Sequence, residues 1–72
     1  MIHGELIYSQ ELDRLDIKTE SADTIGGLHC GECIEVLLDG VWYPSRVEYG
    51  DDWYLYNLYE AGKIPQGLYV RY

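Results

Sequence analysis

The stretch that decides the fold is "CIEVLLDGVWYPSRVEY", residues 33–49. Apolar Ile34, Val36 and Leu38 alternate with Cys33, Glu35 and Leu37, the two-residue period of a half-buried strand. Asp39-Gly40 then interrupts the run, and Asp-Gly between alternating segments is a strong signal for a tight hairpin. Pairing outward from that turn sets Leu38 opposite Val41, Val36 opposite Tyr43 and Ile34 opposite Ser45. Those residues share one face, which Val47 continues. Glu35, Leu37, Trp42, Pro44 and Arg46 share the other.

Working outward, "HGELIYS" (3–9) reads as a strand. "SQELDRLDIKTESAD" (9–23) admits two readings: a short helix capped by Ser9, or a hairpin whose tip lies near Gln10 to Asp13. The hairpin is preferred, because Leu15 and Ile17 alternate with Asp16 and Lys18 and the helix would be barely two turns. Gly26, Gly27 and Gly31 mark 24–32 as loop. "GDD" (50–52) is a turn, and "WYLYNLY" (53–59) reads as a strand apolar on both faces. "EAGKIPQG" (60–67) is a connector, and "LYVRY" (68–72) is the last strand. Five to six short antiparallel strands in one domain spanning 1–72, separated by strong turns, indicate an all-β barrel or sandwich. Closure would remove exposed sheet edges.

A chain of 72 residues buries little of its surface, so its stability margin is thin. Its eight tyrosines and two tryptophans, with no phenylalanine, are expected to stand in for a larger aliphatic core, since an aromatic ring buries ~150–250 Å². The formal net charge of −8 argues against direct contact with nucleic-acid phosphates or anionic lipid and favours a basic protein partner. The N-terminal "MIHGELIY" has no basic segment followed by an apolar run, so no signal peptide is expected and the cytoplasm is the expected address.

The segments "LHCGE", "WYPSRVE", "DDWYL" and "GLYVRY", following "GELIYSQELDRLDI" in that order, resemble a family of short bacterial proteins classed as a domain of unknown function. That family is common in Gram-positive bacteria and their mobile elements. Tyr43, Ser45 and Val47 depart mildly from its "W-I-P-T-R-I-E" pattern. More broadly, "LHCGECIEVLLDGVW", "GDDWYL" and "GKIPQGLYV" resemble Src-homology-3-like barrels. That likeness implies such a barrel here, with Tyr8, Trp42 and Tyr69 near an aromatic peptide groove. Ser9 to Glu11 stand where those domains carry a second aromatic.

The motif "LHCGEC" (28–33) invites a metal or redox reading. Zinc takes four ligands, usually thiolates and imidazoles, and the chain offers only Cys30, Cys33, His29 and His3. His29 and Cys30 are neighbours that point apart on an extended chain, and no second Cys-x-x-Cys pair exists. A thioredoxin-like centre needs a helix after the first cysteine, whereas "IEVLL" alternates as a strand. The residues therefore read as a turn at Gly31-Glu32, with Cys30 and Cys33 as small packing residues, no metal and no cofactor.

No Ser/His/Asp set, phosphate loop or nucleotide fingerprint occurs, and a barrel this small has little room for a catalytic pocket. No enzyme is expected. The expected function is a binding module that engages a basic or proline-containing segment through Tyr8, Trp42, Trp53 and Tyr69. Asp51 and Asp52 beside Trp53, together with the acidic 9–23 loop, would supply attraction. An acidic mimic of nucleic acid directed at a host DNA-binding or nuclease protein is the alternative, and a zinc-linked dimer through Cys30 and Cys33 is a third possibility.

Overall fold

A computed structural model describes residues 1–72, with strands β1 (His3–Ser9), β2 (Arg14–Lys18), β3 (Cys33–Leu38), β4 (Val41–Tyr49), β5 (Trp53–Leu55) and β6 (Tyr69–Arg71). All pairings are antiparallel, in one sheet of order β2-β1-β6-β3-β4-β5. The fold is all-β, with no helix long and apolar enough to cross a membrane.

The central hairpin has the expected register, Leu38 with Val41, Val36 with Tyr43 and Ile34 with Ser45. Asp39 and Gly40 take φ of 50° and 79°, the two left-handed residues of a type I′ turn. Ile34, Val36, Ser45 and Val47 are buried on the shared face. Val41 and Tyr43 lie on that face but are exposed, because the hairpin tip runs past the end of the core. β5 pairs with β4 only at Val47 to Tyr49. Pro44 therefore sits where β4 has an open edge, and its missing N–H costs no ladder bond there.

The 9–23 segment is the hairpin: β1 and β2 pair from Glu5–Lys18 to Ser9–Arg14 around a tip at residues 10–13. Ser9 Oγ accepts from the Leu12 N–H at 3.2 Å, holding a turn rather than starting a helix. The 19–28 loop then folds back along the outer edge of β2. Ile25 and Leu28 donate their N–H groups to the carbonyls of Ile17 and Leu15. That cover blunts an edge otherwise open to strand pairing.

Gly4 is buried where β1 meets β2, and a Cβ there would collide with the Lys18 carbonyl oxygen. Only glycine fits.

Two expectations fail. The core is Leu6, Leu15, Ile17, Leu28, Ile34, Val36, Val47, Leu55, Leu68 and Val70, without one aromatic ring. Trp53 and Tyr59 pack against it from outside. The interior of this small six-stranded sheet is filled by aliphatic side chains, and tyrosine hydroxyls do better at the wet margin. The 53–59 strand also ends early, at Leu55. Leu58 and Tyr59 both donate to the Leu55 carbonyl, and Asn57 takes φ 64°. The chain doubles back in a turn. Asparagine is among the few residues that tolerate this conformation, so Asn57 was the sequence signal.

Candidate functional site

The last residues of β1, the start of β5 and the 62–67 connector enclose an open groove of about 560 Å³. Tyr8, Trp53, Ile64 and Pro65 supply its apolar surface, and Glu5, Asp52, Gln10 and Gln66 supply polar groups. Trp53 is held from three directions. Its N–H donates to Asp52 Oδ1 at 2.7 Å, its carbonyl accepts from Gly62 N–H at 3.1 Å, and its ring meets Tyr49 edge-on at 5.0 Å. The backbone bond ties the Asp52 carboxylate to the strand that carries the ring. Tyr8 lines the same groove, 47% exposed, with its hydroxyl donating to the Asp13 carboxylate. That hydrogen bond, aided by the negative charge of Asp13, pushes the Tyr8 phenol above its ordinary pKa. Tyr8 therefore stays neutral at physiological pH, a flat ring beside a carboxylate.

A second aromatic group forms elsewhere. His3, Trp42 and Tyr69 lie on the outward face of the sheet, with ring centroids 6.0 to 6.2 Å apart. The Arg71 guanidinium stacks 4.1 Å from the centre of the Trp42 ring and donates from Nε to Glu35 Oε1 at 2.7 Å. That bond holds the Glu35 carboxyl below the usual range. The register dictates the cluster: Arg71 pairs with both His3 and Glu35, and Trp42 with Leu37. Arg46 repeats the pattern, stacking 4.1 Å from the Tyr56 ring while bonding Glu48 at 2.6 Å.

Of the six predicted site residues, the structure brings Tyr8, Asp52 and Trp53 into one groove. Trp42 and Tyr69 belong to the other cluster, a correction to the single aromatic groove that the barrel resemblance implies. Asp51 is exposed in the turn but does not line the groove. Glu5 and Gln10 escaped the sequence reading, because nothing in mid-strand or at a turn tip marks them. Ile64 and Pro65 were visible as "IPQG" but were assigned only to a connector.

The acidic 9–23 loop is not wholly acidic at its surface. Asp16 is buried, and its Oδ1 accepts from the N–H groups of Ile17 (2.8 Å) and Ile25 (3.2 Å). It fastens the 19–28 loop.

"LHCGEC" is a turn, with Glu32 N–H donating to the His29 carbonyl and Gly31 at φ 89°. Its cysteines do not pack: Cys30 and Cys33 are both free and both exposed. Cys30 projects from the turn, and Cys33 lies on the outward face, since Ile34 takes the inward one. The Glu32 carboxylate accepts from the Tyr72 hydroxyl and, at 2.6 Å, from the His29 N–H. These bonds hold Glu32 below the ordinary glutamate range.

The geometry defines an all-β module with two separate aromatic surfaces. Residues 4–72 match the family described as a domain of unknown function (DUF5348), and the chain belongs to that family. The chain is also similar to a protein from Ruminococcus gnavus whose crystal structure is solved, at 44% identity and a TM-score of 0.82. The match covers 97% of this chain and 99% of the other. No curated protein matches it.

Proposed function

We propose that the protein is a non-enzymatic, cytoplasmic binding module whose groove takes a basic or proline-containing segment of another protein. The observation that carries this reading is the groove itself, which Tyr8, Trp53, Ile64 and Pro65 line together with Asp52. Flat rings suit a polyproline segment, which is extended before binding and loses little entropy on docking. The Asp52 carboxylate favours an arginine or lysine at its end, as does the formal net charge of −8. The strand order supports the finer likeness to a Src-homology-3-like barrel, since the N-terminal strand lies beside the last one and β3, β4 and β5 form a meander.

The test is a calorimetric titration with synthetic polyproline peptides carrying arginine, no charge or glutamate at one end. The arginine peptide should bind tightest and the glutamate peptide weakest. Tyr8→Ala should weaken binding at least tenfold, while Trp42→Ala, on the other surface, leaves it intact. If no peptide binds, or if Tyr8→Ala and Trp42→Ala act alike, the groove reading is wrong. Displacement of a cellular partner by duplex DNA would instead favour mimicry of nucleic acid.

A further inference from the structure

Free cysteine is among the most buried residue types, and its thiol chemistry includes metal binding. This chain exposes both of its cysteines, separated only by Gly31 and Glu32. We infer that Cys30 and Cys33 form half of a tetrahedral thiolate site for zinc, completed by the same two residues of a second copy of this chain.

The Cys-x-x-Cys spacing is that of one ligand pair in a Cys₄ zinc centre. The pair sits on a braced frame. Gly31 N–H donates to the Val47 carbonyl at 2.7 Å, Val47 N–H to the Glu32 carbonyl at 3.0 Å, and the His29 N–H to Glu32 Oε2 at 2.6 Å. Two ligands are nevertheless too few, and no group of three or more His, Cys, Asp or Glu side chains in one chain is arranged to hold a metal. His29 does not fill the gap, because its Nδ1 accepts from Arg14 Nη1 at 2.6 Å. A two-fold axis through the metal supplies the missing pair from identical residues, the commonest symmetry of protein dimers.

The turn also has room for a second copy. His29, Cys30, Gly31 and Cys33 are all exposed, and a Cβ built on Gly31 would meet nothing within 4 Å. Four thiolates on a divalent ion leave a net negative centre, unfavourable in so acidic a chain. Two of the chain's five Lys and Arg residues lie at this turn, Arg14 on His29 and Arg46 directly across from Cys33. Their charge offsets part of that cost, although Arg46 also holds Glu48. The site shares no residue with the Tyr8–Trp53 groove.

The experiment uses the full chain, reduced, stripped with a chelator and titrated with zinc chloride during analytical ultracentrifugation, with cobalt(II) as the spectroscopic probe. The expected result is a doubling of mass that saturates at about one zinc per two chains, with cobalt showing thiolate charge-transfer absorption and tetrahedral visible bands. Cys30→Ser and Cys33→Ser should each abolish both signals while melting as the metal-free wild type does, since both side chains are exposed. A chain that stays monomeric at saturating zinc overturns the inference, as does cobalt bound without thiolate absorption. Metal bound one-to-one by a monomer, or serine variants that dimerise as the wild type does, overturns it equally.

Discussion

Asp16 is 1% exposed and surrounded by Leu15, Ile17 and the returning loop. It is tolerated because its Oδ1 satisfies the Ile17 and Ile25 N–H groups, and a buried acceptor with two donors offsets much of its desolvation. Asp16→Ala leaves the Ile17 N–H without this acceptor, while the Ile25 N–H keeps the Ile17 carbonyl. The variant should lower the unfolding free energy by about 1–3 kcal/mol, the usual cost of orphaning a buried donor. Asp16→Asn keeps an acceptor oxygen and should cost clearly less in the same urea titration. Equal losses from the two variants would mean that shape, not hydrogen bonding, is what the site needs. Glu32 and Glu35 act differently, at half-exposed positions. Both carboxyls are held below their unfolded pKa, Glu32 first by the Tyr72 hydroxyl and Glu35 first by Arg71. A depressed folded pKa contributes stability that is present above the unfolded value, about 4.3 for glutamate, and is lost as pH falls through the folded one. The melting temperature should therefore hold near neutrality and decline below about pH 4.3. Glu35→Gln should make that decline shallower, and an unchanged acid profile would remove the Arg71 bond from the explanation.

At the scale of elements, the central hairpin carries the fold because turn and core agree on its register. Gly40 at φ 79° makes a left-handed turn position that any side chain strains, so Gly40→Ala should destabilise by roughly 1–2 kcal/mol. Val36, fully buried, and Ile34, nearly so, face the core, and truncating either to alanine should cost roughly 2–4 kcal/mol. Small domains hold as little as ~5 kcal/mol in all, so these two variants should be partly unfolded at room temperature by circular dichroism. Glu35→Ala removes only a half-exposed ion pair and should unfold close to the wild type. If Glu35→Ala proved the most damaging of the set, the outward aromatic face rather than the core would be holding the hairpin.

For the whole molecule, charge and shape divide the work of the proposed groove. Asp52 lines it and Asp51 is exposed beside it, so lysine at both positions reverses the local field, and it also removes the Asp52 bond to the Trp53 N–H. Association of a basic peptide should slow in that double variant. In the wild type it should slow as salt rises, because screening shortens from ~10 Å at 0.1 M to ~3 Å at 1 M. Tyr8→Ala should instead speed dissociation, since a ring that touches the ligand acts after encounter. Stopped-flow tryptophan fluorescence separates the two rates. Association insensitive to both salt and the Asp51/Asp52 change would eliminate electrostatic steering by the acids.

Short-range periodicity and turn chemistry were sufficient for most of the architecture. Alternation around Asp39-Gly40 specified the hairpin, its register and its buried face, because in a strand the period of two leaves no other choice once the turn is placed. Leu15 and Ile17 favoured the first hairpin over a short helix, and the pairing of β1 with β2 decided it. Where several outcomes share one local pattern, the sequence was silent or misleading. "WYLYNLY" has no polar alternation, so apart from Asn57, which marks the turn, nothing local shows that the strand stops at Leu55. Asp16 reads as a solvated acid, and only the loop returning from Thr24 to Leu28 buries it. The cysteines read as packing residues because their type is usually buried, yet Cys30 lies in an exposed turn and Cys33 on the outward face of β3. Tyr8 and Trp53 are 45 positions apart, and so no local pattern could join them. Their meeting in one groove, and the separation of Trp42 and Tyr69 from it, depend on how the strands curl around the aliphatic core. Sheet order and curvature are long-range properties of many pairings at once, and that is why only the tertiary structure decided the site.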